Sequence, residues 1–131
     1  MIEKDILFAP LGELRNLFRR RKLSPVHLTE AYLERIHELD PKLRAFVTVM
    51  SERALREAQQ AEKEITAGLD RGPLHGIPYA AKDLFAARGA PTTWGARPYA
   101  SQTFDHDAAV IRRLHDAGAI LIGKSAMTEL A

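Results

Sequence analysis

GAILIGKS, residues 118–125, fits the pattern G-x-x-x-x-G-K-[ST] of a Walker A phosphate loop. Such a loop follows a strand, and its four variable positions form a bare turn whose N–H groups wrap a phosphate. Here the order is different. Val110, Ile111, Leu114 and Ala117 form a helical stripe just before Gly118. The variable positions are Ala119, Ile120, Leu121 and Ile122, a wholly apolar run that reads as a strand buried on both faces. N–H groups in a strand ladder are already engaged and cannot cradle an anion. Gly118 therefore reads as a helix terminator and Gly123 as a strand-to-helix turn. Lys124 reads as a turn lysine near a helix start, and Ser125 as the N-cap of a new helix. A strand apolar on both faces needs cover on both, and little sequence lies around it to supply that.

Working outward, Leu11, Leu14, Leu17 and Phe18 predict a helix over 11–20. Ser24-Pro25 is a helix start, with a hydroxyl cap and proline at the first helical position. Leu28, Tyr32, Ile36 and Leu39 mark one face, and Asp40-Pro41 is expected to stop the helix. Ala45 to Met50 predicts a short strand. Ser51 is placed as the cap of the next helix, with Ala54, Ala58, Ala61 and Ile65 on its apolar side and Gly68 at its end. From Gly72 to Tyr99 the chain is rich in glycine and proline. Within it, Pro78 to Phe85 predicts a strand that begins on proline, where the missing N–H matters least. Asp105 or Asp107 is expected to cap the helix that ends at Gly118. The succession predicts an α/β protein, a sheet with helices on its faces.

The chain has 131 residues, enough for one small domain. It is 46% hydrophobic and 27% charged, ordinary for a soluble globular protein. A net charge of +2 does not call for a nucleic-acid partner. No cysteine is present, which excludes disulfides and thiolate chemistry. Glu3, Lys4, Asp5, Arg15 and the run Arg19 to Lys22 interrupt any signal-peptide apolar region. No apolar run approaches the roughly 20 residues of a membrane helix. A cytoplasmic location without membrane attachment is the expectation.

Six lysines are present. Lys4, Lys22, Lys42 and Lys63 lie among polar neighbours and read as solvated. Lys82 differs. Strand alternation puts it on the face of Ala80 and Leu84, with Asp83 on the opposite face. On a face of small apolar residues an ammonium can be desolvated, which lowers its pKa. The neutral amine is then a general base able to activate a hydroxyl nucleophile. The competing reading is a strand-end lysine that reaches solvent.

Two segments carry a resemblance. GPLHGIPYAAKDLF, residues 72–85, and DHDAAVIRRLHDAGAILIGKSAMTELA, residues 105–131, are similar to the amidase signature family in content, order and separation. Its members include general amidases and the A subunit of the glutamyl-tRNA amidotransferase. The resemblance implies the N-terminal portion of the amidase signature fold, a mixed β-sheet flanked by helices, incomplete as given. Residues 1–131 would be an N-terminal fragment of one amidase domain, with 1–71 a mostly helical lead-in and 72–131 the start of the signature core.

It also implies acyl transfer by a serine, a second serine in a cis peptide linkage and a lysine base, without cofactor or metal, on a small-molecule amide. The family lysine follows a Gly-Ile-Pro turn and precedes Asp, so the role falls on Lys82. Met127 falls on a position near the substrate pocket, and a core methionine on a helix is the plainer alternative. The family's serines belong to a Gly-Ser-Ser-Gly-Gly stretch and a later Gly-Gly-Ser, and neither occurs among these residues. Position 126 is Ala where many relatives carry Asn. The isolated chain is therefore expected to need the remainder of an amidase, and to be inactive and poorly soluble alone, with exposed sheet edges.

A different class of reading is a binding or regulatory remnant. Arg15 to Lys22 (RNLFRRRK) is basic around Phe18 and could touch RNA or an acidic partner, or be a solvated helix end. His106 lies between Asp105 and Asp107, but the other histidines lack metal-ligand spacing.

Overall fold

The computed structural model describes residues 2 and 4–131, leaving aside the side chain of Lys4, so the expectation for that lysine lies outside the described atoms. After a 3₁₀ turn at Lys4–Phe8 come helix α1 (Leu11–Arg19), helix α2 (Pro25–Leu43) and strand β1 (Phe46–Val49). Helix α3 (Ser51–Thr66), strand β2 (Pro78–Lys82), helix α4 (Ala109–Asp116) and strand β3 (Ile120–Ser125) follow. The three strands form one mixed sheet in the order β1-β3-β2. In it β3 is antiparallel to β1 and parallel to β2.

Local chemistry explains most boundaries. The Ser24 hydroxyl accepts from the N–H groups of Val26 (3.0 Å) and His27 (3.2 Å), with Pro25 as the first helical residue. Gly118 ends the turn after α4 at φ +79, and an added Cβ would stand 2.4 Å from the His75 ring.

Other boundaries depart from the sequence reading. Helix α2 runs through Pro41 to Leu43. Proline there removes a single bond in the last turn. The end is closed instead by Arg44 in the left-handed region (φ 50) and by the Asp40 carboxylate, which accepts from the N–H groups of Ala45 (2.7 Å) and Phe46 (3.1 Å). Ser51 is the first residue of α3 and not its cap. Met50 takes that place because its N–H is held by Ile122 O (2.9 Å) while its carbonyl accepts from Ala54 N (2.9 Å). Neither Asp105 nor Asp107 caps α4, whose N-cap is Ala108 without a side-chain bond. Asp107 is taken by Arg53 instead. Strand β2 stops at Lys82, where Phe85 N bonds back to Lys82 O (3.0 Å) in a turn. No helix follows Gly123. Gly123, Lys124 and Ser125 all continue β3, and residues 126–131 are irregular.

As expected, β3 is buried on both faces. The expected shortage of cover is not seen. Ala54 and Ala58 of α3 lie on Ile120 and Ile122, their small side chains letting the helix approach the sheet closely. On the other face Leu121 packs with Met50, Ala81, Ile111 and the loop residues Ala87 and Ala90. A third cluster, Leu14, Phe18, Leu28 and Ile77, joins α1 and α2 to the chain entering β2.

Candidate active site

The site is built where β2 and β3 end side by side. Tyr79 faces Leu121 and Ala80 faces Gly123, so Ile122 is an extra residue on β3, a bulge. Paired residues of parallel strands share a face. Unbroken alternation would put Lys124 on the α3 side with Ile120 and Ile122. The bulge puts it opposite Ala81, on the face of Leu121.

Two lysines consequently exchange the surroundings the sequence suggests. Lys124 is fully buried and Lys82 is exposed. Alternation around Lys82 is as predicted: Ala81 and Asp83 are buried, while Ala80, Lys82 and Leu84 share the other face. That face is open, however, so the expected desolvation of Lys82 does not hold among the described residues. Lys124 is not a turn lysine. Its ammonium lies 3.0 Å from Asp83 Oδ1 and donates to Thr92 Oγ1 (3.1 Å) and the Pro91 carbonyl (3.3 Å). Asp83 is likewise fully buried. Its Oδ2 accepts from Thr93 N (3.2 Å) and from the Thr93 hydroxyl. Its main chain is held too: Asp83 N donates to Ser125 O (3.0 Å), and Asp83 O accepts from Trp94 N (3.3 Å).

Ser125 stands opposite Lys82 in the register, on the same face, and is a strand residue rather than a helix cap. Met127 is half-buried in irregular chain, not on a helix. Its carbonyl lies 2.8 Å from where a Cβ on Gly95 would stand, so glycine at 95 (φ +67) lets the 91–95 loop close on the 127–130 segment. The structure thus brings Lys82, Asp83, Lys124, Ser125 and the Thr92-Thr93 pair together, with Met127 against the same loop. Sequence reasoning passed over Lys124, Thr92 and Thr93. The available signal was a charged residue two positions beyond an apolar run, close enough to continue the same strand.

Two other polar networks lie outside this site, and the first of them braces the sheet. Arg53 holds Asp107 through both guanidinium N–H groups (2.9 and 2.8 Å) and Glu57 through Nε (2.8 Å). Burial alone would lower the pKa of Arg53, but the hydrogen bonds to Asp107 and Glu57 outweigh it and push it up. The Arg53 hydrogen bond also holds the Asp107 carboxyl below the usual range. Glu57 Oε2 accepts Leu121 N (2.8 Å), a ladder donor beyond the reach of β1. Buried His75 meets Glu64 through Nε2 (3.0 Å) and accepts Arg71 N at Nδ1 (3.2 Å). In the basic run, Arg15 pairs with Asp70 (2.9 Å) and Arg21 bonds Thr66 O (3.1 Å), which leaves Arg19, Arg20 and Lys22 exposed. No helix among the described residues is long and apolar enough to cross a membrane.

Lys82 thus closes the strand that follows Gly-Ile-Pro, beside the buried Asp83. The family model described as Amidase matches residues 27–131. This chain belongs to the amidase signature family. Over 123 residues it is 45% identical to the A subunit of the glutamyl-tRNA(Gln) amidotransferase from Azoarcus sp. (strain BH72), a match that covers 94% of this chain and 25% of that protein. Its fold is similar to that of the native peptide amidase from Stenotrophomonas maltophilia, with a TM-score of 0.88 and 38% identity over 94% of this chain and 26% of that one. A bacterial aryl acylamidase gives 0.83 and 26% identity over 93% and 26%. The chain spans about a quarter of the length of the curated relatives it matches. Its three-stranded mixed sheet with flanking helices is part of the amidase signature fold.

Proposed function

We propose that these residues supply the general-base portion of a serine amide hydrolase, with Lys82 as the base. The observation that carries this reading is the placement of Lys82. It lies in GIPYAAKD at the end of β2, its side chain free on one face while its neighbour Asp83 is anchored on the other. In the proposed reaction the remainder of the chain covers the open face, and the Lys82 amine, desolvated and neutral there, receives the proton relayed through a second serine as the first serine oxygen attacks the amide carbon. The proton returns to the departing amine, which leaves an acyl-enzyme, and water or another acceptor then releases the acyl group.

The two serines are proposed to come from sequence outside this span, in keeping with its coverage of a quarter of the relatives. The amide is proposed to be a small molecule, with Met127 close to its pocket, and the compartment to be the cytoplasm. Residues 1–71 form the lead-in and 72–131 the start of the signature core of one domain. The isolated 131 residues are expected to show no amide hydrolysis. Serine-type turnover by them above a Lys82→Ala control would overturn that. In the complete gene product, Lys82→Ala is expected to lower kcat by about 10²–10⁴-fold, the usual contribution of a general base. Turnover near that of the unmodified protein would remove Lys82 from the reaction.

A further inference from the structure

We infer that the buried Asp83–Lys124 pair is a positioning device for Lys82, an inference that rests on Lys82 being the base. The Lys82 side chain stands in the open, at the last residue of a strand that meets only β3 among the described residues. Among the described residues no side-chain hydrogen bond or ion pair holds it. The adjacent residue is held everywhere. Asp83 is anchored through its N–H to Ser125, through its carbonyl to Trp94, and through its carboxylate to Thr93 and Lys124. Those partners belong to β3 and to the 91–95 loop, two segments far apart in sequence. Successive strand residues point to opposite faces, so clamping Asp83 on the covered face fixes the direction in which Lys82 leaves the open one.

A burial argument supports the assignment. Two fully buried charges lose their hydration, and their mutual attraction returns that cost only when the remaining valences are filled. Here Thr92 and the Pro91 carbonyl accept from Lys124, and Thr93 donates to Asp83 Oδ2, while Asp83 Oδ1 makes no hydrogen bond and has only the Lys124 ammonium at 3.0 Å. Apolar replacement of such a pair is often neutral or stabilising, so stability alone is a weak account of it. Directional restraint is a stronger one, because a misplacement of about 1 Å at a reacting group costs roughly 10²-fold in rate. Asp83, Lys124 and Thr93 are positioning residues, each acting through Lys82.

The test measures kcat and KM separately in the complete gene product, by ammonia release from a panel of primary amides, with a thermal melt of each variant. Thr93→Val, which retains the ion pair, is expected to lower kcat by about 3–10-fold with KM unchanged and the protein folded. Asp83→Asn and Lys124→Met are each expected to depress the melting temperature, since each leaves one buried charge unpaired. The double variant Asp83→Asn/Lys124→Met is expected to recover the melt while kcat stays at least about tenfold down. A kcat that simply follows the melting temperature across the series, or an unchanged kcat in Thr93→Val, would overturn the inference. Should the charged single variants fail to fold, Thr93→Val and the double variant decide. Lys82→Ala separates the two layers. If it is dead while Thr93→Val and the double variant turn over normally, only the positioning role falls. If Lys82→Ala itself turns over normally, the base assignment falls with it.

Discussion

Lys82 is the last residue of β2 and Lys124 the last but one of the neighbouring parallel β3, one register step apart, yet one stands in the open and the other is completely enclosed. Residue type and a following polar residue are shared. The difference is the face. Lys124 points to the side covered by Leu121, Ala81 and the loop carrying Ala87 and Ala90, where an ammonium must find anionic and polar partners. Lys82 points to the other side, beyond the cover that α3 gives to Ile120 and Ile122. A buried lysine enclosed by an anion and two hydrogen-bond acceptors holds structure together. An open one beside a clamped backbone is available for chemistry.

The largest expected effect would break or uphold this contrast directly. Lys124→Ala should destabilise the protein by about 3–5 kcal/mol, because it leaves the Asp83 carboxylate buried and unpaired. Lys82→Ala should leave the melting temperature nearly unchanged. Comparable losses in denaturant titrations of the two variants would erase the distinction. Accessibility gives a second comparison. Under brief acetic anhydride treatment with mass-spectrometric mapping, Lys82 should acetylate at least about a hundredfold faster than Lys124, which reacts only through opening of the sheet. Equal rates would mean that the 91–95 loop does not seal that face.

A smaller effect concerns pH, at buried His75, which ties the loop before β2 to helix α3. Burial pushes the pKa of His75 down, while Glu64 pulls it part of the way back. The unfolded chain takes up that proton near 6.5 and the folded protein only at lower pH. Stability from this site is therefore complete above about pH 6.5 and lost on acidification below it. Glu64 has the same sign. Burial raises its pKa, but the Arg71 and Gln60 hydrogen bonds win and hold it low, so its contribution also fades as the pH falls through the carboxylate range. Melting temperatures at pH 7.5 and 5.5 should fall in that order, and His75→Asn should flatten the difference; an equal slope in the variant would free His75 of the role. The smallest expected effect is Ser24→Ala, about 1 kcal/mol by loss of the α2 cap. A shift well beyond that in a thermal melt would give the cap a second function.

Much of the fold was legible. The spacing of Ala54, Ala58 and Ala61, the Ser24-Pro25 start, and the apolar run at 119–122 all predicted their elements, because each depends on neighbours within a turn or a strand. The Lys-Asp pair after Gly-Ile-Pro pointed to Lys82, and alternation put Asp83 on the opposite face. Capping at Ser51 and Asp107 was misread because Met50 and Arg53 make bonds to residues more than fifty positions away.

Short-range periodicity in the residues marked the cores of the four helices and the central strand, and two local motifs carried the resemblance to the family, because each survives whatever the rest of the chain does. The exchange between Lys82 and Lys124 was decided only in three dimensions. One bulge at Ile122 turns Lys124 to the covered face, and the loop carrying Thr92 and Thr93 closes over it. A shift of one residue reverses every side chain beyond it, and whether a face is dry depends on segments that the local pattern does not contain.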